Sequence, residues 1–498
     1  MLLKDLISTL GGKVTGAQAF NPDAAVKSVA YDSRAVKGEG CAFVAMRGEH
    51  ADGHDFVAAS VEKGAVCVIA ERTTPGVCVP QIIVGDARAA LSRASDLLSG
   101  SPSMKMTVVG VTGTNGKTTT TYLLESIFRE AGWTPGVIGT VNYRYGGRVF
   151  DAPHTTPEAP ELHGMLREML DAGVTHCAME VSSHALAQRR VDDCSFRAGV
   201  FTNLTHEHLD YHKTMEDYYV AKAVLFTRLL SGSGGVSVIN ADDPWGKRLA
   251  AEAPGPLTTS LSKGADIYPS RYSLSADGID AAVETPAGVV EIASRLVGEY
   301  NLQNILGAIG AAVAVSAPLE AIKRGIDRLV RVPGRLEKLQ AGGVTAYVDY
   351  AHTPDALLRA LEALRRVSPG RVITVFGCGG NRDRAKRPRM GEVSARLSDV
   401  TIVTSDNPRD EEPLGIIAEV VSGISGAGIG AERYMVVPER GAAIRRAVEI
   451  ARPGDTILVA GKGHENYQII KGVKTPFDDM EELKCAVAGA GQRAPQGL

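Results

Sequence analysis

The run Thr107-Val108-Val109-Gly110-Val111-Thr112-Gly113-Thr114-Asn115-Gly116-Lys117-Thr118-Thr119 carries more chemistry than any other stretch of the chain. An apolar, strand-like segment enters a glycine turn, and Lys117-Thr118-Thr119 opens a helical pattern through Tyr122, Leu123, Leu124 and Ile127. Glycines let backbone N–H groups face a polyphosphate, and the helix that follows presents its N-terminus to the anion. Lys117 is then placed to reach the β- and γ-phosphates, and Thr118 to offer a hydroxyl to Mg²⁺. The generic loop, G-x-x-x-x-G-K-[ST], is longer than this one, in which Gly113 precedes Gly116 by three. A plain glycine turn before a helix is the alternative; Lys-Thr-Thr in a strand–turn–helix context favours ATP.

A second group of reactive residues follows. The apolar strand Cys177-Ala178-Met179-Glu180-Val181 delivers Glu180 near its end, before Ser182-Ser183-His184. A carboxylate on a strand beside a phosphate loop can hold Mg²⁺ directly or through water, although a lone glutamate at a strand end is more often a cap. Further on, Asn203-Leu204-Thr205-His206-Glu207-His208-Leu209-Asp210-Tyr211-His212 suggests zinc, but its spacing matches neither the i, i+4 helical pair nor a cysteine-assisted site. Magnesium seldom takes histidine, so His208 stays ambiguous on these grounds. Lys222, in an expected helix over 216–228, reads by default as a solvent-facing lysine.

The elements that must position these groups alternate strand and helix. Strand-like runs at 41–46, 66–70 and 81–84 mark a first block, 1–103, which ends at Ser101-Pro102-Ser103. A second block, 104–332, has strands near 108–111, 175–181, 198–202 and 236–240. It adds an antiparallel piece near 279–292 and a helix with a small-residue face over 298–315. The turn Val332-Pro333-Gly334-Arg335 leads to a third block, 333–498, with strands near 346–349, 372–377, 400–405, 434–437 and 455–461. Leu357, Leu358, Leu361 and Leu364 give 354–367 a helical period with arginines opposite. The expected fold is therefore α/β in three domains. The central one is a mostly parallel, phosphate-loop ATPase-like sheet, the last is Rossmann-like, and the first is smaller. In such sheets ligands bind beyond the carboxyl ends of the strands. The Gly/Ala-rich end after Ala486 is expected to be disordered.

Composition narrows the function classes. The 498 residues carry a formal net charge of −3, which gives no reason to expect nucleic acid or an anionic membrane as partner. Seven cysteines (Cys41, Cys67, Cys78, Cys177, Cys194, Cys378 and Cys485) never form a Cys-x-x-Cys pair, which argues against a disulfide framework and fits a reducing compartment. No apolar run spans a bilayer, and Met1–Leu6 reads as an amphipathic start rather than a signal peptide. The chain is expected to be a cytoplasmic monomer.

Several separate motifs, in order, resemble the Mur ligases of peptidoglycan synthesis. They are Gly-Thr-Asn-Gly-Lys-Thr-Thr (113–119), Met-Glu-Val-Ser-Ser-His (179–184), Thr-Asn-Leu…His-Leu-Asp-Tyr-His (202–212) and Tyr-Val-Ala-Lys (219–222). Gly298–Asn304, Val332–Glu337 and Asp349–Pro354 extend the likeness, and Tyr31-Asp32-Ser33-Arg34 with Gly48–Gly53 carry it into the first block. The branch resembled is the one that adds the third amino acid to UDP-N-acetylmuramoyl-L-alanyl-D-glutamate. The resemblance implies that Tyr31, Ser33 and the turn Glu49-His50-Ala51 contact the uridine nucleotide. His154, Thr155, Thr156, Ser182, Gln188 and Arg190 would hold the muramoyl dipeptide. Thr118, Glu180, His208 and Lys222 would serve Mg²⁺, with Lys222 as a carbamate, so that a cation becomes a carboxylate-like ligand. Gly113–Thr119, Asn301, Asn304 and Arg335 would build the ATP site, with Asp349 and His352 nearby. Two departures stand out: His154 where some relatives have asparagine, and Glu439-Arg440 where an Asp-Arg pair is usual.

Two charged loops bear on the added amino acid: Gly380-Asn381-Arg382-Asp383-Arg384-Ala385-Lys386-Arg387-Pro388 and Ser405-Asp406-Asn407-Pro408-Arg409-Asp410-Glu411-Glu412-Pro413. Each is by default a solvated loop. An amino acid with two zwitterionic ends, however, needs guanidinium forks for carboxylates and acidic or amide groups for ammonium. Asp406, Asn407, Pro408 and Arg409, with Arg387, Gly461 and Glu465, supply that set. Asp-Asn-Pro-Arg resembles the meso-diaminopimelate-adding type; lysine-adding relatives lack the arginine. The implied reaction is an ATP-dependent, ADP- and phosphate-forming amide ligation through an acyl phosphate. Its rivals are a lysine-adding ligase, a folylpolyglutamate-synthase-like ligase, a phosphotransferase and a non-catalytic ATP switch.

Overall fold

The structure, a computed structural model, describes residues 1–16, 20–48 and 51–491. It forms three α/β domains, each around its own sheet. The first sheet has the order Lys13–Thr15, Gln81–Ile83, Ala65–Ala70, Cys41–Ala45, Ser28–Ala30, parallel except at Lys13–Thr15. The two outer strands, with three residues each, are too short to show a period in sequence.

The central sheet has eight strands. Leu257–Thr259, Val236–Asn240, Ala198–Phe201, Thr107–Thr112, His176–Glu180 and Pro135–Ile138 run parallel; the hairpin Tyr143–Tyr145 and Arg148–Phe150 closes one edge antiparallel. Its register decides the site: Glu180 lies opposite Val111, and Phe201 opposite Thr112. The carboxyl ends of three neighbouring strands therefore deliver the glycine loop, Glu180 and the Thr202–Asn203 turn to one place.

Helix Lys117–Glu130 buries Leu123, Leu124, Ile127 and Phe128 against this sheet. Helix Glu299–Ala314 packs on the same face, and its small residues explain how closely. A Cβ on Gly310 would stand 2.6 Å from a methyl of Val238, and one on Gly307 3.0 Å from a methyl of Val200. The antiparallel piece is a three-stranded sheet, Tyr268–Ser275, Gly278–Thr285 and Gly288–Ser294.

The last domain orders Glu337–Ala341, Val344–Asp349, Thr456–Ala460, Val372–Phe376, Val400–Val403 and Tyr434–Val436, parallel after the first pair, with the hairpin Tyr467–Ile470/Val473–Pro476 beside it. Helix Pro354–Val367 buries Leu357, Leu361 and Leu364 with Ala360 and Ala363, while Leu358 is only half-buried. Thr353 caps it by accepting from the Ala356 N–H at 3.3 Å.

Two expectations are corrected. Residues 487–491 continue the helix Asp479–Gly491 instead of fraying; the remainder of the expected disordered end lies outside the described residues. The helix expected over 216–228 is α-helical only over Met215–Val224 and widens into a π turn at Leu225–Leu230. Among the described residues, no helix is long and apolar enough to cross a membrane.

Candidate active site

Gly113 and Gly116 are required by both conformation and space. Their φ angles are +148° and +89°. A Cβ would stand 1.8 Å from Thr202 Oγ1 at the first and 2.2 Å from Asn304 Oδ1 at the second. The loop is pinned from the neighbouring strand: Asn115 N–H donates to Asn203 Oδ1 at 3.0 Å, and Thr202 Oγ1 donates to the Asn115 carbonyl at 2.6 Å. Lys117 Nζ folds back and donates to the Gly113 and Thr114 carbonyls, both at 2.8 Å. Burial lowers its pKa, and Arg335 adds to that.

Thr118 Oγ1 donates to Glu180 Oε1 at 3.0 Å. Glu180 also accepts from the Thr140 N–H and hydroxyl at 3.0 and 2.9 Å, and it is buried. Thr140 has no motif around it; it is found only through the sheet order that sets its strand beside Glu180. Arg335 reaches in from the last domain, donating to Thr118 Oγ1 at 3.1 Å and lying 4.5 Å over the Tyr350 ring. These groups line a cavity of about 230 Å³, and Asn304 lines it with them; Asn301 instead supports it, accepting from Asn304 Nδ2 at 3.1 Å and donating to the Val297 carbonyl.

Lys222 overturns its default reading. It is 1% exposed, donates to the Gly113 carbonyl at 2.9 Å and lies 4.7 Å from the Tyr218 ring centre. Burial, with Lys117 second, drives its pKa well below the usual lysine value, toward a neutral amine. His208 has φ +57° and a side chain 42% exposed, so it stands less enclosed than Glu180 or Lys222. Among the described residues, the histidine-rich run included, no group of three or more His, Cys, Asp or Glu side chains is placed to hold a metal ion. The histidine rings pack on one another instead, His184 lying 5.0 Å from His208 and 5.5 Å from His212.

Burial depresses His184 and His212 to about 4, and His464 to about 3. Folded chains therefore refuse protons that unfolded chains accept once pH drops below about 6.5, and stability falls until the folded groups themselves charge near pH 4. The unfolding free energy is expected to be lower at pH 5 than at pH 7, by roughly 2 kcal/mol for each of these groups that stays uncharged in the fold, measured by urea titration.

The muramoyl-dipeptide candidates gather along the seam between the first two domains. Thr155 and Thr140 hydroxyls are 3.0 Å apart. Thr156 Oγ1 donates to the Glu180 carbonyl and accepts from the Ser182 N–H, and Ser182 caps its helix through the Ala185 N–H. Arg190 donates to Gln188 Oε1 and the Thr156 carbonyl and pairs with Glu158 at 2.9 Å. His154 contributes its carbonyl, which accepts from the Tyr143 hydroxyl. Across the seam, Tyr31 OH reaches Glu161 at 3.5 Å, and burial with Glu161 raises it to about 12. The Ser33 carbonyl accepts from Lys63, and the Ala51 carbonyl from the Gly48 N–H. Glu49 and His50 lie outside the described residues.

A second cavity, about 650 Å³, opens between the last domain and the histidine run. Asp406, Asn407, Arg409, Gly461 and Glu465 line it. Arg409 (φ +54°) donates to the Gly380 carbonyl at 2.7 Å. Asn407 is engaged on both sides of its amide, donating to Glu465 at 2.8 Å and accepting from Lys462 Nζ and the Ile469 N–H at 3.1 and 3.0 Å. Pro408 contributes its carbonyl, 1.9 Å from where a Cβ on Gly380 would stand, so that position must be glycine. Arg387 is not on this wall. It is 0% exposed beneath it, held by Glu411 and Glu419 at 2.8 and 3.0 Å, and so sets the loop rather than facing the space. Beside Arg409, the cations that line the cavity are Arg382, Lys386 and Arg389, close to Arg387 in sequence; the cation-dense sequence showed the loop but not which members face inward.

A phosphate loop, a strand-end carboxylate and a zwitterion-lined second cavity across an interdomain cleft define an ATP-using ligase architecture, and the chain belongs to the Mur ligase family. Residues 25–97 match the model of the Mur ligase family catalytic domain, 111–312 the Mur ligase middle domain, and 334–463 the glutamate ligase domain. The chain is 48% identical to a UDP-N-acetylmuramoyl-L-alanyl-D-glutamate--2,6-diaminopimelate ligase of Geobacter metallireducens, over 94% of this chain and 97% of the relative. It is likewise 48% identical to the protein of that name from Geobacter sulfurreducens, over 91% and 93%. A solved structure titled as the 2,6-diaminopimelate ligase superposes with TM-score 0.71 at 32% identity, covering 99% of this chain and all of the other.

Proposed function

We propose that the protein joins meso-2,6-diaminopimelate to the D-glutamate side-chain carboxylate of UDP-N-acetylmuramoyl-L-alanyl-D-glutamate, consuming ATP and releasing ADP and phosphate. It would act as a monomer in the cytoplasm on small-molecule substrates, through a nucleotide-sugar domain (1–103), an ATP domain (104–332) and an amino-acid domain (333–498). The observation that carries this reading is the shared wall of two cavities. The one of about 230 Å³ holds Lys117, Thr118, Glu180 and Thr155; the other holds Asp406, Arg409 and Glu465; both are bounded by the same four residues. A carboxylate activated in the first is thereby delivered to an amine bound in the second.

Lys117 and the loop N–H groups would hold the phosphoryl oxygens, while Thr155, Thr156, Ser182 and Arg190 orient the dipeptide. The Thr118 hydroxyl and Glu180 carboxylate, 3.0 Å apart, are an oxygen pair of the kind Mg²⁺ takes. His208 and Lys222 would complete its surroundings, burial disfavouring the ammonium form of Lys222 and so favouring carbamate formation with CO₂. Bound there, Mg²⁺ would offset phosphate charge. The rest of the work is positioning, and none of the seven cysteines enters it.

The test is phosphate release with ATP, Mg²⁺ and the nucleotide dipeptide, comparing meso-diaminopimelate with L-lysine. Diaminopimelate is expected to be strongly preferred. Arg409→Ala should lower kcat/KM for it on the order of 100-fold by removing the guanidinium that pairs with the distal carboxylate. Preference for lysine would refute the choice of amino acid, and silence with both would refute the ligase.

A further inference from the structure

The wall between the two cavities is made by Glu207, His208, Tyr350 and His352. Two of these come from different domains and face each other: His352 Nε2 lies 3.5 Å from Glu207 Oε1. The imidazole is fixed by its other nitrogen, Nδ1, 2.8 Å from the Tyr350 carbonyl. A carbonyl only accepts, so Nδ1 carries a hydrogen, and Nε2 is left as the atom that can exchange a proton with the cavity. The ring rests tilted on Tyr350 with centroids 4.5 Å apart, and 37% of the side chain is exposed. Glu207 lines both cavities from the central domain, with its carboxyl turned to the His352 ring. The other titratable or charged groups around His352 are Asp349 and Tyr350 on its own segment, Arg335 over the Tyr350 ring, His464, His208 across the wall, and Lys386, whose Nζ donates to the His352 carbonyl at 2.7 Å.

The ligation needs a base at this wall. Diaminopimelate arrives as an ammonium, which has no lone pair with which to attack an acyl phosphate. Resting on the ligase reading above, we infer that His352 is the catalytic base that takes a proton from this ammonium, and that Glu207 is the positioning residue that draws the ammonium against it. An N–H bond of the ammonium breaks as Nε2–H forms. The freed lone pair forms the C–N bond at the acyl carbon, and the C–O bond to phosphorus breaks with its electron pair going to phosphate. The second amine proton leaves with that phosphate. Because Glu207 belongs to the central domain and His352 to the last, the pair exists only where the two domains meet. The base is therefore assembled with the cleft, which limits premature loss of the acyl phosphate to water.

The full-length His352→Gln protein separates activation from proton removal. Acyl phosphate formation is read as hydroxamate with hydroxylamine, an amine already unprotonated at neutral pH, and ligation is read as amide product with diaminopimelate. At pH 7 the variant should lose about 100-fold in diaminopimelate ligation. Its hydroxamate formation should fall far less than its ligation, and its ligation rate should climb with pH toward the amine's own ionisation. Glu207→Gln should raise KM for diaminopimelate more than it lowers kcat. Equal loss of both products in His352→Gln, or unchanged ligation with the parent's pH profile, overturns the assignment. Absence of hydroxamate from the parent protein would instead overturn the ligase reading itself.

Discussion

Lys117→Ala is expected to lower ATP-dependent turnover by at least about 1,000-fold while leaving the fold intact. Lys117 stands at the start of helix Lys117–Glu130, where the backbone N–H groups already converge, and its ammonium is the charge able to follow the γ-phosphoryl as negative charge shifts in transfer. In the structure that charge is parked on two carbonyls and is opposed by burial. Removing it relieves a desolvation cost as well as losing two hydrogen bonds, so the unfolding free energy should move by no more than about 1 kcal/mol. Phosphate release and a urea titration on the same preparation separate the two effects. Near-normal turnover in the variant would end the assignment of this loop as the phosphate site.

The largest expected stability effect lies away from the phosphates. Arg440 and Asp479 are both 0% exposed and pair through two hydrogen bonds of 2.7 Å. Arg440 also donates to the Ser405 and Ala460 carbonyls at 3.3 and 3.0 Å, the residues immediately before Asp406 and Gly461. Arg440→Ala leaves Asp479 buried without its partner and is expected to cost about 3–5 kcal/mol. Replacing both residues together with apolar ones of similar volume should recover much of that, because the uncompensated charge is then gone. Urea unfolding of the single and double variants measures this; equal destabilisation by both would assign the effect to packing instead. The same single variant should weaken diaminopimelate binding, since the two strand ends it ties together carry that cavity.

The chain has Glu-Arg at 439–440 where the family resemblance implies Asp-Arg, and the structure gives the difference a local outcome. Glu439 caps the helix Arg440–Ile450, accepting from the Gly441 and Ala442 N–H groups at 2.7 and 2.6 Å. The longer side chain reaches the same helix end that an aspartate would cap.

Local order along the chain was enough to give the α/β class, the phosphate loop and the strand that carries Glu180. Each rests on a period or a turn whose physics acts over a few residues: alternating burial, glycine φ angles, and a helix N-terminus. What a side chain faces is settled over distances that local pattern does not span. Lys222 reads by default as a surface cation and Arg387 as part of the amino-acid pocket, yet both are buried, because neighbouring strands and acidic partners far along the chain enclose them. Thr140 meets Glu180 only through the order of strands in the central sheet, and Glu207 meets His352 only where two domains close on one another. The sequence by itself determined which chemical groups this protein owns and on which elements they sit. Tertiary structure decided which of them share a cavity, because partners in space are chosen by sheet order and domain contact, and those are set by burial summed over the whole chain.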